Sequence, residues 1–68
     1  MQTPWTEYPD IPRGSIGWRM GHAEDYYDQF YRWFSKLEEN ERQEFIRENP
    51  EPSDWSGFYR TIIVHPWL

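Results

Sequence analysis

The chain has 68 residues, with twelve acidic and seven basic side chains and a net charge of −5. The length leaves room for one domain at most, and the absence of cysteine excludes disulfide bonds and thiolate metal sites. The acidic balance argues against direct binding of nucleic acid, because affinity for phosphates comes from Lys and Arg.

Aromatic residues dominate the apolar composition, with five Trp, five Tyr and four Phe. A core of this size supplies only about 3–5 kcal/mol of net stability, so large side chains must compensate for the short chain. Each aromatic side chain buries on the order of 150–250 Å². We therefore expect an aromatic core, with or without an additional aromatic binding face.

No segment has the pattern of a targeting or membrane sequence. The first ten residues are polar and contain two prolines, which is unlike a signal peptide. The longest apolar run, 62–64, is far too short to cross a bilayer. The sequence therefore predicts a soluble, cytoplasmic protein that does not bind membranes.

Residues 1–21 are predicted to form an extended arm followed by a glycine-rich loop. Three prolines and three glycines interrupt this segment, and it shows no helical periodicity. We expect Trp5, Tyr8 and Ile11 to dock the arm onto the body. The loop is expected to present Trp18 and Arg19.

Residues 22–39 are predicted to form the first helix. At 100° per residue, its apolar side chains fall within one arc of about 160°. This arc consists of Trp33, Tyr26, Leu37, Phe30, Ala23, Phe34, Tyr27 and Tyr31. Three carboxylates near the start, Glu24, Asp25 and Asp28, lie where the helix dipole favours negative charge.

Two further helices are predicted, at 41–48 and 53–64. Asn40 is a good N-cap for the second helix, with Gln43 at the capping-box position. Ser53 is a good N-cap for the third helix. The β-branched run 61–64 would favour a strand instead, but strand alternation would divide the apolar side chains between two faces. We expect residues 65–67 to leave the helix and to place Trp67 on the body.

The sequence thus predicts a mainly α fold, a small three-helix domain over 1–68 with an extended N-terminal arm and an aromatic core. Within it, no motif for catalysis, metal binding or cofactor binding is found. His22 and His65 lie at opposite ends of the helical region, and no serine has the context of a nucleophile. We expect no enzymatic activity, no metal and no cofactor.

An acidic row is the first of two features that suggest binding. Glu41, Glu44 and Glu48 fall within about 60° on the second helix, and Glu38 and Glu51 are expected to extend the row. Neighbouring carboxylates repel one another by a few tenths of a kcal/mol, with no evident benefit to the fold. The row is suited to a line of Lys and Arg on a partner. The alternative is an ordinary solvated helix face.

A surplus of aromatic side chains is the second feature. Three short helices are not expected to enclose fourteen rings, and exposed Trp, Tyr and Arg dominate binding hot spots. We expect Trp18 with Arg19, and Tyr31 at the margin of the apolar arc, to be exposed. The alternative is that the arm covers them.

The chain resembles the small acidic proteins of bacteriophages and mobile elements, including anti-CRISPR proteins and other anti-defence inhibitors. Its length, the acidic run 38–51 and the segment NPEPSDWSGFY at 49–59 carry this resemblance. The resemblance implies that the protein acts by occupying a protein surface, without chemistry. It assigns no functional residue.

Two hypotheses of function follow. In the first, the protein is a non-catalytic inhibitor or adaptor, a monomer or weak homodimer, that occludes a basic, nucleic-acid-handling surface of a partner protein. In this hypothesis, Glu41, Glu44 and Glu48 provide the charge and an aromatic side chain provides an anchor. In the second, the protein is a structural or assembly subunit whose exposed aromatic side chains form an oligomer interface.

Overall fold

A computed structural model describes residues 1–67, and in this part of the chain the secondary structure is helical, without strands. The α-helices are α1 (Pro4–Glu7), α2 (Gly21–Ser35), α3 (Glu39–Glu48) and α4 (Phe58–Val64). Two 3₁₀ segments, Ile16–Arg19 and Ser53–Trp55, precede α2 and α4. The mainly α fold predicted from the sequence is confirmed.

The core is built on α2, and most of it is aromatic. Phe30 and Phe34 of α2 are fully buried, and their rings stack on Phe58 and Tyr59 of α4 at centroid distances of 6.0 and 5.1 Å. Ile62, one turn later on α4, is also buried. The apolar arc of α2 therefore faces α4, as the periodicity predicts.

The N-terminal arm docks as predicted, but it is not extended throughout. Residues Pro4–Glu7 form one helical turn, because proline is favoured in the first turn and Thr3 accepts two backbone hydrogen bonds there. Trp5 packs on Trp55, with a centroid distance of 5.3 Å, and Tyr8 and Ile11 pack against the core. The arm thus contributes side chains to the core.

The predicted end of the first helix and the predicted cap of the second are wrong. Helix α2 ends at Ser35, four residues earlier than expected, and α3 begins at Glu39. The N-cap of α3 is Glu38, whose side chain forms a capping box with Glu41 in place of the predicted Asn40 and Gln43. Glu38 accepts the N–H of Glu41, so the helix starts two residues before the expected position.

The third predicted helix is divided at Gly57. Gly57 has a φ of +86°, a left-handed conformation that stops the 3₁₀ segment from continuing into α4. The run 61–64 is helical, so the strand alternative is wrong. Ser53 does not cap α4 through its side chain, and the carboxylate of Glu51 does so from outside the helix.

The segment after α4 returns to α2, as predicted. The backbone N–H of Trp67 donates to Ser35 Oγ at 3.0 Å, and the Trp67 ring lies 4.5 Å from the Arg32 guanidinium. The final residue of the sequence, Leu68, lies outside the described part of the chain. Within the described part, none of the helices has the length and apolar character that a membrane span requires.

Candidate protein interface

The acidic row predicted on the second helix lies on the surface of α3. Glu41, Glu44 and Glu48 are all exposed. Their spacing of three and four residues places them on one side of the helix, over a rise of about 10 Å. This row is therefore available to a partner along most of the length of α3.

The three carboxylates border a groove between α3 and the C-terminal end of α2. The groove has a volume of about 240 Å³. Its apolar wall is formed by Trp33, Leu37 and Phe45, and its acidic edge by Glu41, Glu44 and Glu48. We call this feature the acidic groove. It combines charge with an apolar surface, which the row alone does not.

Phe45 holds α3 against the body and so creates the groove. Its ring packs edge-to-face on Trp33, with a centroid distance of 5.1 Å and an interplanar angle of 74°. It also contacts the buried rings of Phe30, Phe34 and Tyr59. No residue of α3 is fully buried, so the helix rests on the body through partly buried side chains. Trp33 and Leu37 consequently stay partly exposed beside it.

Most of the net charge of the chain lies in the segment that includes α3. Residues 38–51 contain six acidic and two basic side chains, a net charge of −4 out of −5. Arg42 pairs with Glu39 at 2.8 Å, and this ion pair is the one present within residues 1–67. Glu41, Glu44 and Glu48 therefore have no cationic partner in the described part of the chain.

The predicted extension of the row does not occur at Glu51. Its carboxylate accepts the backbone N–H of Gly57 at 3.0 Å and of Tyr59 at 2.7 Å, so it is committed to the start of α4. Glu38 is committed to the cap of α3. Glu41 uses one oxygen, Oε1, to accept the Glu38 N–H at 3.0 Å. Glu44 and Glu48 make no side-chain hydrogen bond within residues 1–67.

Trp18 is buried, contrary to the prediction that it is exposed. Only 7% of the residue is accessible, its Nε1–H donates to the Pro12 carbonyl at 3.1 Å, and its ring contacts Tyr8, Tyr27 and Trp55. The indole is buried because the 3₁₀ segment that carries it folds back onto α2. Trp18 is therefore part of the core.

Arg19 is exposed, as predicted, but it borders a different cleft. This cleft, of about 410 Å³, lies between the glycine-rich loop and the start of α2. Arg13, Glu24 and Asp28 also line it, so its charges are mixed. Arg13 contributes to the fold itself, since it donates to the Ser56 carbonyl at 2.6 Å and lies over Trp55.

Tyr31 is partly exposed, and its hydroxyl group forms a hydrogen bond with the segment that follows α4. The Tyr31 hydroxyl donates to the His65 carbonyl at 2.5 Å, and the Trp67 ring packs against it. Partial burial raises the pKa of this tyrosine. The six residues predicted for binding therefore do not form one site: three border the acidic groove and three lie elsewhere.

Trp33 and Leu37 belong to the apolar arc that the sequence predicts to face the core. Trp33 lies at the margin of the apolar arc of α2. This marginal position is the sequence feature that indicates a place at the surface. Leu37 lies beyond the observed end of α2, where the chain turns toward α3. Their role depends on the position of α3, which helical periodicity does not determine.

The described residues contain no group of three His, Asp or Glu side chains that could hold a metal ion. His22 and His65 are both exposed and lie on different elements. The acidic groove is suited chemically to binding a cationic side chain by charge and apolar contact. No family model, no curated protein and no solved structure matches this chain.

Proposed function

We propose that this protein binds a partner protein through the acidic groove and acts by occluding a basic, nucleic-acid-handling surface. It acts without catalysis, as an inhibitor or adaptor in the bacterial cytoplasm, in the manner of the anti-defence proteins that it resembles. The binding form is a monomer or a weak homodimer. Arg19 and Tyr31, which lie outside the groove, are not required in this proposal.

One observation carries the proposal: three carboxylates that have no cationic partner among the described residues border an apolar groove. An acidic row on an ordinary solvated face needs no apolar surface beside it. Protein interfaces that bind tightly combine a desolvated aromatic or aliphatic centre with complementary charge around it. Trp33 and Phe45 supply such a centre, and Glu44 and Glu48 supply unengaged negative charge.

The structure gives less support to the second hypothesis, an assembly subunit, than to binding through the acidic groove. That hypothesis depended on a surplus of aromatic side chains at the surface. Of the fourteen rings, six are buried, seven are partly buried and one, Trp67, is exposed. Trp67 itself packs on Tyr31 and Arg32. We therefore favour binding through the acidic groove.

The test is capture of bacterial proteins on the immobilised wild-type chain, followed by elution with double-stranded DNA. We expect basic, nucleic-acid-binding proteins to be retained and to be released by DNA, which competes for the same surface. The variant Glu41→Gln, Glu44→Gln, Glu48→Gln should lose this capture. Glutamine can replace glutamate at the N3 position of a capping box, so Glu41→Gln should preserve the start of α3.

A matched control changes three exposed acidic residues outside the groove, as Glu7→Gln, Asp10→Asn and Asp25→Asn. This variant has the same net charge as the groove variant, so it separates groove binding from overall acidity. Equal loss of capture in both variants would contradict the proposal. Retention of the captured proteins in the presence of excess DNA would contradict the occlusion of a nucleic-acid-handling surface.

A further inference from the structure

We infer that the acidic groove takes an arginine side chain of the partner, with its stem on the apolar wall and its guanidinium between the carboxylates. This inference rests on the proposed function and names the chemistry of the partner residue. The groove, with a volume of about 240 Å³, has room for one long side chain. Its lining of carboxylates beside apolar side chains fits one long cationic side chain of a partner protein.

The apolar wall favours a side chain that has a long aliphatic stem. Trp33, Leu37 and Phe45 line the groove next to the carboxylates, so the stem and the charged head are both accommodated. Long basic side chains lay their methylene groups along apolar surface while the charged end stays polar. A short or purely apolar side chain would leave the acidic edge without a partner.

The carboxylates favour guanidinium over ammonium. Glu44 and Glu48 are four residues apart, so their Cβ atoms are about 5–6 Å apart on one helix face. A guanidinium has five N–H donors in a plane and can bridge two carboxylates, whereas an ammonium is a compact point charge. The flat guanidinium also packs on aromatic faces, and Trp33 is the preferred kind of ring for a cation.

Within residues 1–67, no arginine of the chain lines the groove. Arg42, on the same helix, pairs with Glu39, and its Nε is buried without a hydrogen-bond partner within the described residues. Arg42 is thus held on the inner side of α3 by packing, with the side chain 19% exposed. The groove carboxylates stay available for a guanidinium from another molecule.

Two peptides of equal charge, acetylated and amidated hexa-arginine and hexa-lysine, test this inference. Both are titrated into the wild-type chain, and the indole N–H signal of Trp33 is followed by NMR. We expect hexa-arginine to bind about two- to fivefold more tightly, because a guanidinium can bridge two carboxylates and also pack flat on the Trp33 ring. The Trp33 signal should shift with hexa-arginine.

The variant Trp33→Leu should show a smaller preference for hexa-arginine, because it keeps the carboxylates and an apolar wall but removes the ring. Trp67→Leu is the matched control and should retain the preference, since Trp67 lies over Arg32 and outside the groove. Glu44→Gln with Glu48→Gln should weaken both peptides in a chain that retains every ring. This double variant keeps the test valid even if Trp33→Leu fails to fold.

Three results would overturn the inference. The first is equal binding of both peptides to the wild-type chain, and the second is a preference for arginine that Trp33→Leu leaves undiminished. The third is an indole N–H signal of Trp33 that does not shift when hexa-arginine is added. Equal binding that is lost with Glu44→Gln and Glu48→Gln would leave the proposed function standing, because the groove would still bind basic partners.

Discussion

Single polar side chains connect the elements of this small protein. Glu51 is the clearest case, because both of its oxygens accept backbone N–H groups at the start of α4. The first N–H groups of a helix have no partner within the helix, and a carboxylate placed there also interacts favourably with the helix dipole. A residue that looks like part of an acidic row is thus a structural cap.

Glu51→Ala should lower the free energy of unfolding by about 1–2 kcal/mol, because it leaves the start of α4 without its cap. The measurement is urea unfolding at neutral pH. Glu44→Ala is the control, and its effect should stay within about 0.5 kcal/mol, as for other surface substitutions. Equal effects of the two substitutions would show that Glu51 contributes nothing as a cap.

Tyr59 joins the same region through its ring and its hydroxyl. It is 4% exposed, and its hydroxyl donates to the Asn49 carbonyl at 2.7 Å. Burial raises the pKa of Tyr59 well above its ordinary value of 10.0, and the negative charge of Glu51 makes a smaller contribution in the same direction. The folded protein therefore holds this tyrosine neutral at a pH where the unfolded chain would ionise it.

The stability of the protein should consequently fall as the pH rises above about 10. The contribution from Tyr59 is fully present below the unfolded pKa of 10.0. Above pH 10.0, the ionisation of Tyr59 in the unfolded chain should lower the free energy of unfolding by about 1.4 kcal/mol for each pH unit. This loss should continue until the pH reaches the pKa of Tyr59 in the folded protein. Tyr59→Phe should be less stable at neutral pH, by about 1 kcal/mol, and less sensitive to alkaline pH.

Urea unfolding of both proteins between about pH 9 and pH 11 measures this difference. Burial also raises the pKa values of Tyr26, Tyr27 and Tyr31, but these residues are present in both proteins, so their ionisation cancels from the comparison. Parallel dependence of the two unfolding free energies on pH would contradict the assignment of the alkaline loss to Tyr59.

Helices α3 and α4 show how local conformation sets the ends of elements. Helix α3 starts at Glu39 because Glu38 and Glu41 satisfy its first N–H groups. Helix α4 starts after Gly57, which adopts a φ of +86°. A Cβ at this position would meet no atom within 4 Å, so only the backbone conformation opposes a side chain there.

Gly57→Ala should therefore reduce the free energy of unfolding by about 1 kcal/mol, measured by thermal or urea unfolding. Gly57→Asn should cost less than Gly57→Ala, since asparagine adopts left-handed conformations more readily than other residues. If Gly57→Ala were neutral or stabilising, the 3₁₀ segment and α4 could form one continuous helix, as the sequence analysis expected.

The molecule as a whole separates its aromatic core from its charge. Thirteen of fourteen rings are buried or partly buried, and Trp5 of the N-terminal arm packs on Trp55, Phe58 and Tyr59. Most of the net charge lies within 38–51, whereas the other residues contain six acidic and five basic side chains. Most of the net negative charge thus lies in the segment that carries the acidic row, which favours the approach of a basic partner to that segment.

Binding of hexa-arginine should weaken by on the order of tenfold as salt rises from about 0.1 M to about 1 M, because the screening length shortens from about 10 Å to about 3 Å. The dissociation constant is measured by titration at each salt concentration. The variant with glutamine at positions 41, 44 and 48 serves as the control, and its weaker binding should depend less on salt. A dissociation constant that does not change with salt would reject electrostatic binding and leave only contact with the apolar wall.

The helices and the acidic row could be predicted from the sequence because both depend on local geometry. Periodicity at 3.6 residues per turn places Phe30 and Phe34 inside and Glu41, Glu44 and Glu48 together outside, whatever the rest of the chain does. The mainly α fold follows from the same local patterns. The ends of the helices were less predictable, since competing caps such as Glu38 and Asn40 are both acceptable locally.

Only the tertiary structure decided which of these residues form one surface. The packing of Phe45 on Trp33 places α3 beside the end of α2 and so gives the acidic row an apolar wall. The same packing of distant segments buries Trp18 and turns Glu51 toward α4. The physical reason is that these contacts join side chains that are far apart in the chain. Their free energies depend on how the helices pack together, and the periodicity along one helix carries no information about that packing.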